Sequence, residues 1–207
     1  SVEQNAYGGA IYAGVYEGEG YIGKINADFV ENYVKSVVDG AGGAMYLSAF
    51  DTDEIVGDFI GNYIETGNNA YGGAISTAYL TASLDGVEIG KIVGKYKNNY
   101  VVSGAYARGG AISFSPYTIV KDGIYGNFEG NYIIVDANSG DGYGGAIGSM
   151  GWISEIEGDF TNNYVKGETI KGGAIYVNSI DETEGVGSIK GSFVKNSLDI
   201  GTEGFSA

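Results

Sequence analysis

The chain contains no cysteine and no histidine. Without cysteine there are no disulfides, so stability must come from packing. Exported bacterial proteins are often thiol-free, and export without disulfides is the expectation. The two absences together exclude Ser-His-Asp and Cys-His catalysis and most zinc sites. Pro116 is the single proline and Arg108 the single arginine. No Gly-x-x-x-x-Gly-Lys-Ser/Thr loop occurs, and the glycines form no Gly-x-Gly-x-x-Gly after a strand, so nucleotide-binding loops are excluded. No apolar run reaches the ~18 residues of a membrane-spanning helix, so the chain is not expected to span a membrane. Ser1 opens directly into repeat sequence, and an exported protein of this kind is expected to have lost its targeting segment.

Positive charge is also scarce. Eleven Lys and Arg stand against 26 Asp and Glu, a formal net charge of −15. Nucleic acid binding needs a basic surface that displaces counterions, so it is set aside. The same charge disfavours anionic membranes and uronic-acid polymers, and favours solubility and loose cation binding.

Glycine and aromatics are abundant: 38 Gly, 18 Tyr and 8 Phe in 207 residues. Glycine does not recur every third residue, which excludes collagen, and the aromatic content excludes disorder. The glycines instead mark a repeat. Gly-Gly-Ala begins at Gly8, Gly42, Gly72, Gly109, Gly144 and Gly172, followed each time by Ile or, at Met45, by Met. Phe-x-x-Asn alternates with it at Phe29, Phe59, Phe128, Phe160 and Phe193, with Tyr96 in the same place in the third repeat. Both motifs recur with a mean period of about 33 residues. Most of the length variation falls after the Gly-Gly-Ala-Ile segment, which places it in one loop.

The fuller template is Ile-x-small-x-Phe-x-x-Asn-Tyr-Val. It has period two, the spacing of a strand. Ile, the small residue and Phe are expected on one inward face, the next two residues at a corner, and three short strands in each repeat. One coil cannot bury its inner face alone, so coils stack and bring like residues into register. One coil per repeat is expected; two smaller coils is the alternative. The expected ladders are an inward amide ladder of Asn32, Asn62, Asn99, Asn131, Asn163 and Asn196, and an outward aromatic ladder of Tyr33, Tyr63, Tyr100, Tyr132 and Tyr164. Gly-Gly supplies positive-φ turns or room where the coil is tight. Simple alternation does not explain the alanine kept in all six triplets.

The alternating Gly-Gly-Ala-Ile and Phe-x-x-Asn motifs resemble the repeats of the chlamydial polymorphic outer membrane proteins and related autotransporter passengers, over nearly the whole chain from Gly8 to Asn196. That resemblance implies a right-handed parallel β-helix, carried across the outer membrane and commonly serving adhesion. Two departures stand out: no C-terminal translocator barrel and no polar or amphipathic cap at either end. Ser1-Val2 matches Ser36-Val37, and Gly204 to Ala207 fall about where the next triplet is due. The chain therefore reads as a piece of a longer passenger, or as a subunit whose ends stack on other copies.

The resulting expectation is one all-β solenoid domain over residues 1–207, about six coils, located outside the cell. It is a non-catalytic adhesin or stalk, or alternatively the subunit of an extracellular filament. Partners are further copies, adjoining passenger segments, or a host or cell-surface protein or glycan. A polysaccharide-active enzyme ranks last: Asp51/Asp53 and Asp181/Glu182/Glu184 are paired carboxylates of the kind acid–base chemistry uses, but they read as solvated loop charges. Arg108 is expected to pair with a nearby acid. No cofactor is expected, with calcium as the one cation that Asp28 and Asp58, in neighbouring coils, begin to suit. The tyrosine ladder is the most suggestive outward feature for sugar rings or another rod.

Overall fold

A computed structural model describes residues 4–15, 18, 20–78, 86–136, 140–178 and 185–200. All regular structure in them is β, arranged as five parallel sheets of six strands, each sheet taking one strand from every coil. The chain is a parallel β-solenoid of six coils, with one coil per repeat. The register is that of the template: Phe29, Phe59, Tyr96, Phe128, Phe160 and Phe193 align.

Each coil has five strands rather than the three expected. In the third coil they span Asn69–Tyr71, Ile75–Ala78, Val87–Val93, Tyr96–Lys97 and Tyr100–Ser103. The two additions are short pieces, one before Gly-Gly and one at the Phe. Their strand character exists only through pairing with the coils above and below, so it has no periodicity of its own to detect. The variable loop lies where expected. Only Ala49 separates Met45–Ser48 from Phe50–Val56, whereas residues 79–86 separate Ile75–Ala78 from Val87–Val93.

The core is divided in two. Ile, Phe, Ala, Met and Leu side chains fill the larger lobe, which includes Ile92, Tyr96 and Ala111. A narrower lobe holds Val34, Ile64, Ala70, Val101, Ala107, Ile133, Val135 and Val165. The two motifs meet at the waist between them. A Cβ on Gly73, the second glycine of its pair, would lie 2.7 Å from the Tyr100 carbonyl oxygen and 2.8 Å from its nitrogen. Gly110 stands in the same relation to Tyr132, with its Cβ position 2.8 Å from the carbonyl oxygen. The second glycine thus lets two backbones of the same coil touch across the interior. The first has another reason: Gly72 sits at φ +70°, with its Cβ direction closed by the Ile75 carbonyl.

The invariant alanine follows from the same corner. The Ala74 carbonyl accepts from both Ala44 N (3.0 Å) and Met45 N (2.8 Å), and Ala111 repeats this with Ala74 and Ile75. Two successive residues turn inward there, and in the four middle coils the alanine is completely buried. The small position two before the Phe needs a correction. Gly94 is half-buried rather than facing the core, and its Cβ direction runs into the Gly57 carbonyl of the preceding coil. It is small because neighbouring coils approach at this bend.

Candidate binding surfaces

The asparagine ladder is structural. Asn99 Nδ2 donates to Asn131 Oδ1 (2.9 Å) and to the Phe59 carbonyl (2.8 Å). Asn99 Oδ1 accepts from Asn62 Nδ2 and Asn62 N, both at 3.0 Å. Both amide donors and both lone pairs are satisfied. Asn62, Asn131 and Asn163 repeat the pattern at zero exposure, and the ladder runs from Asn32 to Asn196. The residue before each asparagine has positive φ, for example Asn98 at 54° and Gly61 at 64°, so the corner is a left-handed turn closed by the amide.

The tyrosine ladder lies on the outer face as expected. Neighbouring rings stack at 5.2, 4.8, 4.9 and 4.9 Å from Tyr33 to Tyr164, with planes within 14°. Tyr33 is 55% exposed, and the other four are half-buried. Burial, then the neighbouring phenols, pushes the Tyr132 hydroxyl up to about 12. Lys35 lies over Tyr63 (5.4 Å) and pairs with Glu65 at 2.8 Å. Tyr63, Tyr100 and Tyr132 are stacked on both faces and leave only their edges to solvent, whereas Tyr33 and Tyr164 stack on one face.

The carboxylates singled out in the sequence brace neighbouring coils. Asp28 Oδ1 accepts from Asp58 N at 2.9 Å, and Asp58 Oδ1 from Lys95 N at 3.0 Å. Asn127 and Asp159 continue this, receiving Asp159 N and Ser192 N respectively. No group of three or more Asp or Glu is placed to hold a metal among the described residues. Asp51 accepts from Glu88 N (2.7 Å), and Asp53 from the Tyr21 hydroxyl (2.6 Å). Asp181, Glu182 and Glu184 lie outside the described residues.

Arg108 departs from expectation. Every ion pair among the described residues is made by a lysine, and none includes Arg108. Its side chain is buried, at 6% exposure. Nε donates to Ser113 Oγ at 3.0 Å, and the guanidinium lies 5.4 Å from the Tyr71 ring centre. Two outward ladders flank the Gly-Gly corner here. One reads Tyr7, Ala41, Tyr71, Arg108, Tyr143, Lys171. The other reads Tyr12, Tyr46, Ser76, Ser113, Gly148, Tyr176. Residue sizes in the two ladders are complementary in the middle coils: Ala41 accompanies Tyr46, while Tyr71, Arg108 and Tyr143 accompany the small Ser76, Ser113 and Gly148. A Cβ on Gly148 would collide with Arg108 Cγ, so this glycine makes room for the arginine stem. The result is a cavity of about 340 Å³ lined by Arg108, Tyr7, Tyr46, Tyr71, Tyr106 and Asp39, among others. The residue before each Gly-Gly is tyrosine in three coils and Ala41, Arg108 or Lys171 in the others, so the column itself sets Arg108 apart.

No protein-family model, curated protein or solved structure matches the chain. No helix among the described residues is long and apolar enough to cross a membrane.

Proposed function

We propose that the chain is a non-catalytic segment of an extracellular or cell-surface rod, acting as an adhesive stalk. The observation that carries this reading is the continuous parallel pairing of all five sheets through six coils, with the register shifting only around Val120–Ile124 in the long-strand sheet. Every coil repeats the same inner ladders, while the outer faces vary in length and side chain. A repetitive array of that kind converts chain length into reach and offers an extended surface for contact. The motif resemblance to autotransporter passengers supports the surface location, and the thiol-free composition agrees with an oxidising environment.

The test is surface display. Beads coated with the purified chain are expected to retain cells or immobilised glycans in a saturable way, without releasing products from a panel of polysaccharides. Product release from any of them, or retention equal to that of uncoated beads, refutes the reading.

A second reading is a filament subunit assembled from stacked copies. Light scattering at rising concentration separates the readings: discrete particles favour the stalk, growing fibres the filament.

A further inference from the structure

The cavity around Arg108 is a built feature that neither reading explains. A guanidinium keeps its proton at any physiological pH, so the charge is permanent. Burying a charge away from water is unfavourable unless an opposite charge meets it, and here none of the ion pairs supplies one. Ser113 Oγ accepts a hydrogen bond from Nε, the Tyr106 hydroxyl hydrogen-bonds the guanidinium, and Tyr71 offers a ring face. Among the described residues no carboxylate pairs with the Nη donors, and a guanidinium fork suits a carboxylate bidentately.

The rest of the lining narrows the ligand. Tyr7, Tyr46, Tyr71 and Tyr106 supply aromatic walls, Asp39 a carboxylate, and Ser76 and Ser115 hydroxyls. Tyr46 is stacked on both faces, by Tyr7 and Tyr12, and Tyr106 is flanked by Tyr71 and Tyr143, so the walls present ring edges and hydroxyls, which suit a small ring hydroxylated at its rim. The volume, about 340 Å³, is in the range of small-molecule sites. A chain with a net charge of −15 repels polyanions, which leaves a single charge on a small ring.

We propose that this cavity binds one acidic monosaccharide unit, its carboxylate on Arg108 and its ring against the tyrosine walls. The proposal does not depend on the stalk reading, since a site of this kind works on a filament as well.

The test is titration of the whole chain, followed by nuclear magnetic resonance, with glucuronate, N-acetylneuraminate, glucose and acetate. Saturable shifts are expected for at least one acidic sugar, with glucose and acetate at least tenfold weaker. The variants come from the ladder itself. Arg108→Tyr installs the residue carried by the columns at Tyr71 and Tyr143, and Tyr71→Ala installs the residue at Ala41, so both retain a side chain the fold already accepts there. Arg108→Tyr is expected to weaken acidic-sugar binding about tenfold or more, as loss of a charge-assisted pair does, and Tyr71→Ala to weaken it several-fold. Thermal melting and circular dichroism verify folding; should Arg108→Tyr not fold, Tyr71→Ala carries the comparison. No saturable binding of either acidic sugar overturns the proposal. So does unchanged affinity in a folded variant, or acetate binding as tightly as the sugars.

Discussion

Tyr96 shows how one side chain departs from a ladder that otherwise defines it. It stacks between Phe59 (5.1 Å) and Phe128 (4.6 Å) and is completely buried. Its hydroxyl has no hydrogen-bond partner among the described residues, and burial pushes its pKa far above the ordinary phenol value. A buried unsatisfied hydroxyl costs about 1–3 kcal/mol, while the ring faces lose nothing when the oxygen is removed. Tyr96→Phe is therefore expected to raise stability by about 1 kcal/mol, measured as a higher urea midpoint at unchanged slope. A lower midpoint would mean that the hydroxyl has a partner or fills essential volume. The substitution was visible in the sequence as an exception to Phe-x-x-Asn; that its oxygen is orphaned depends on what lies around it.

At the scale of the element, the asparagine corner and the coil junctions differ from middle to end. Asn99→Ala removes four hydrogen bonds and strands the Phe59 carbonyl and the Asn62 amide inside the protein. Asn32 sits at the edge of its ladder and bonds on one side, to Asn62. Asn99→Ala is expected to cost about 3–5 kcal/mol and Asn32→Ala about 1 kcal/mol, a contrast that equilibrium unfolding reads directly. Equal losses would show that the amide bonds do not propagate along the rod. The junction of the last two coils carries an acid-sensitive contact. The Lys190 ammonium, then the Tyr125 hydroxyl, holds the Glu155 carboxyl below its usual range, and Ser192 does the same to Asp159. Carboxyls depressed in the folded state favour folding above their ordinary value, and that contribution is lost as pH falls through the folded value. Amide exchange in residues 188–192 is expected to quicken at pH below about 4, before exchange in 89–93 does. Glu155→Gln is expected to flatten the part of that response it controls. Simultaneous quickening of both segments would place the acid sensitivity elsewhere.

For the whole molecule, the tyrosines of the two outer faces set an upper pH limit. Burial, then its phenol neighbours, pushes Tyr46 up to about 12; burial, then Asp141, does the same to Tyr143. Tyr132 stands at the same value. A phenol raised in the folded state favours folding fully below its unfolded value of about 10, and that contribution disappears as pH rises through the folded value. The melting temperature is expected to hold steady to about pH 10 and fall toward pH 12, in parallel with the phenolate ultraviolet band. Phenolate absorbance that rises without any loss of stability would show that the rings ionise freely within the fold.

Much of this architecture was open to inference from residues alone, because stacking places identical side chains in identical surroundings. Phe at Phe59 and Phe128, and Asn at Asn62 and Asn131, recur because each repeat poses the same packing problem, so six copies reported a one-coil solenoid and its inner ladders. The outward tyrosines and the variable loop followed from the same logic. What repetition does not encode is distance across a coil. That Gly73 touches Tyr100 and divides the core, that Ala74 closes a double-acceptor corner, and that five strands rather than three make each coil all depend on backbone contacts between residues far apart in sequence. Arg108 belongs to that second group. Its rarity was plain from composition, but its burial was decided only when coils three to five brought Tyr71, Ser113 and Gly148 around it.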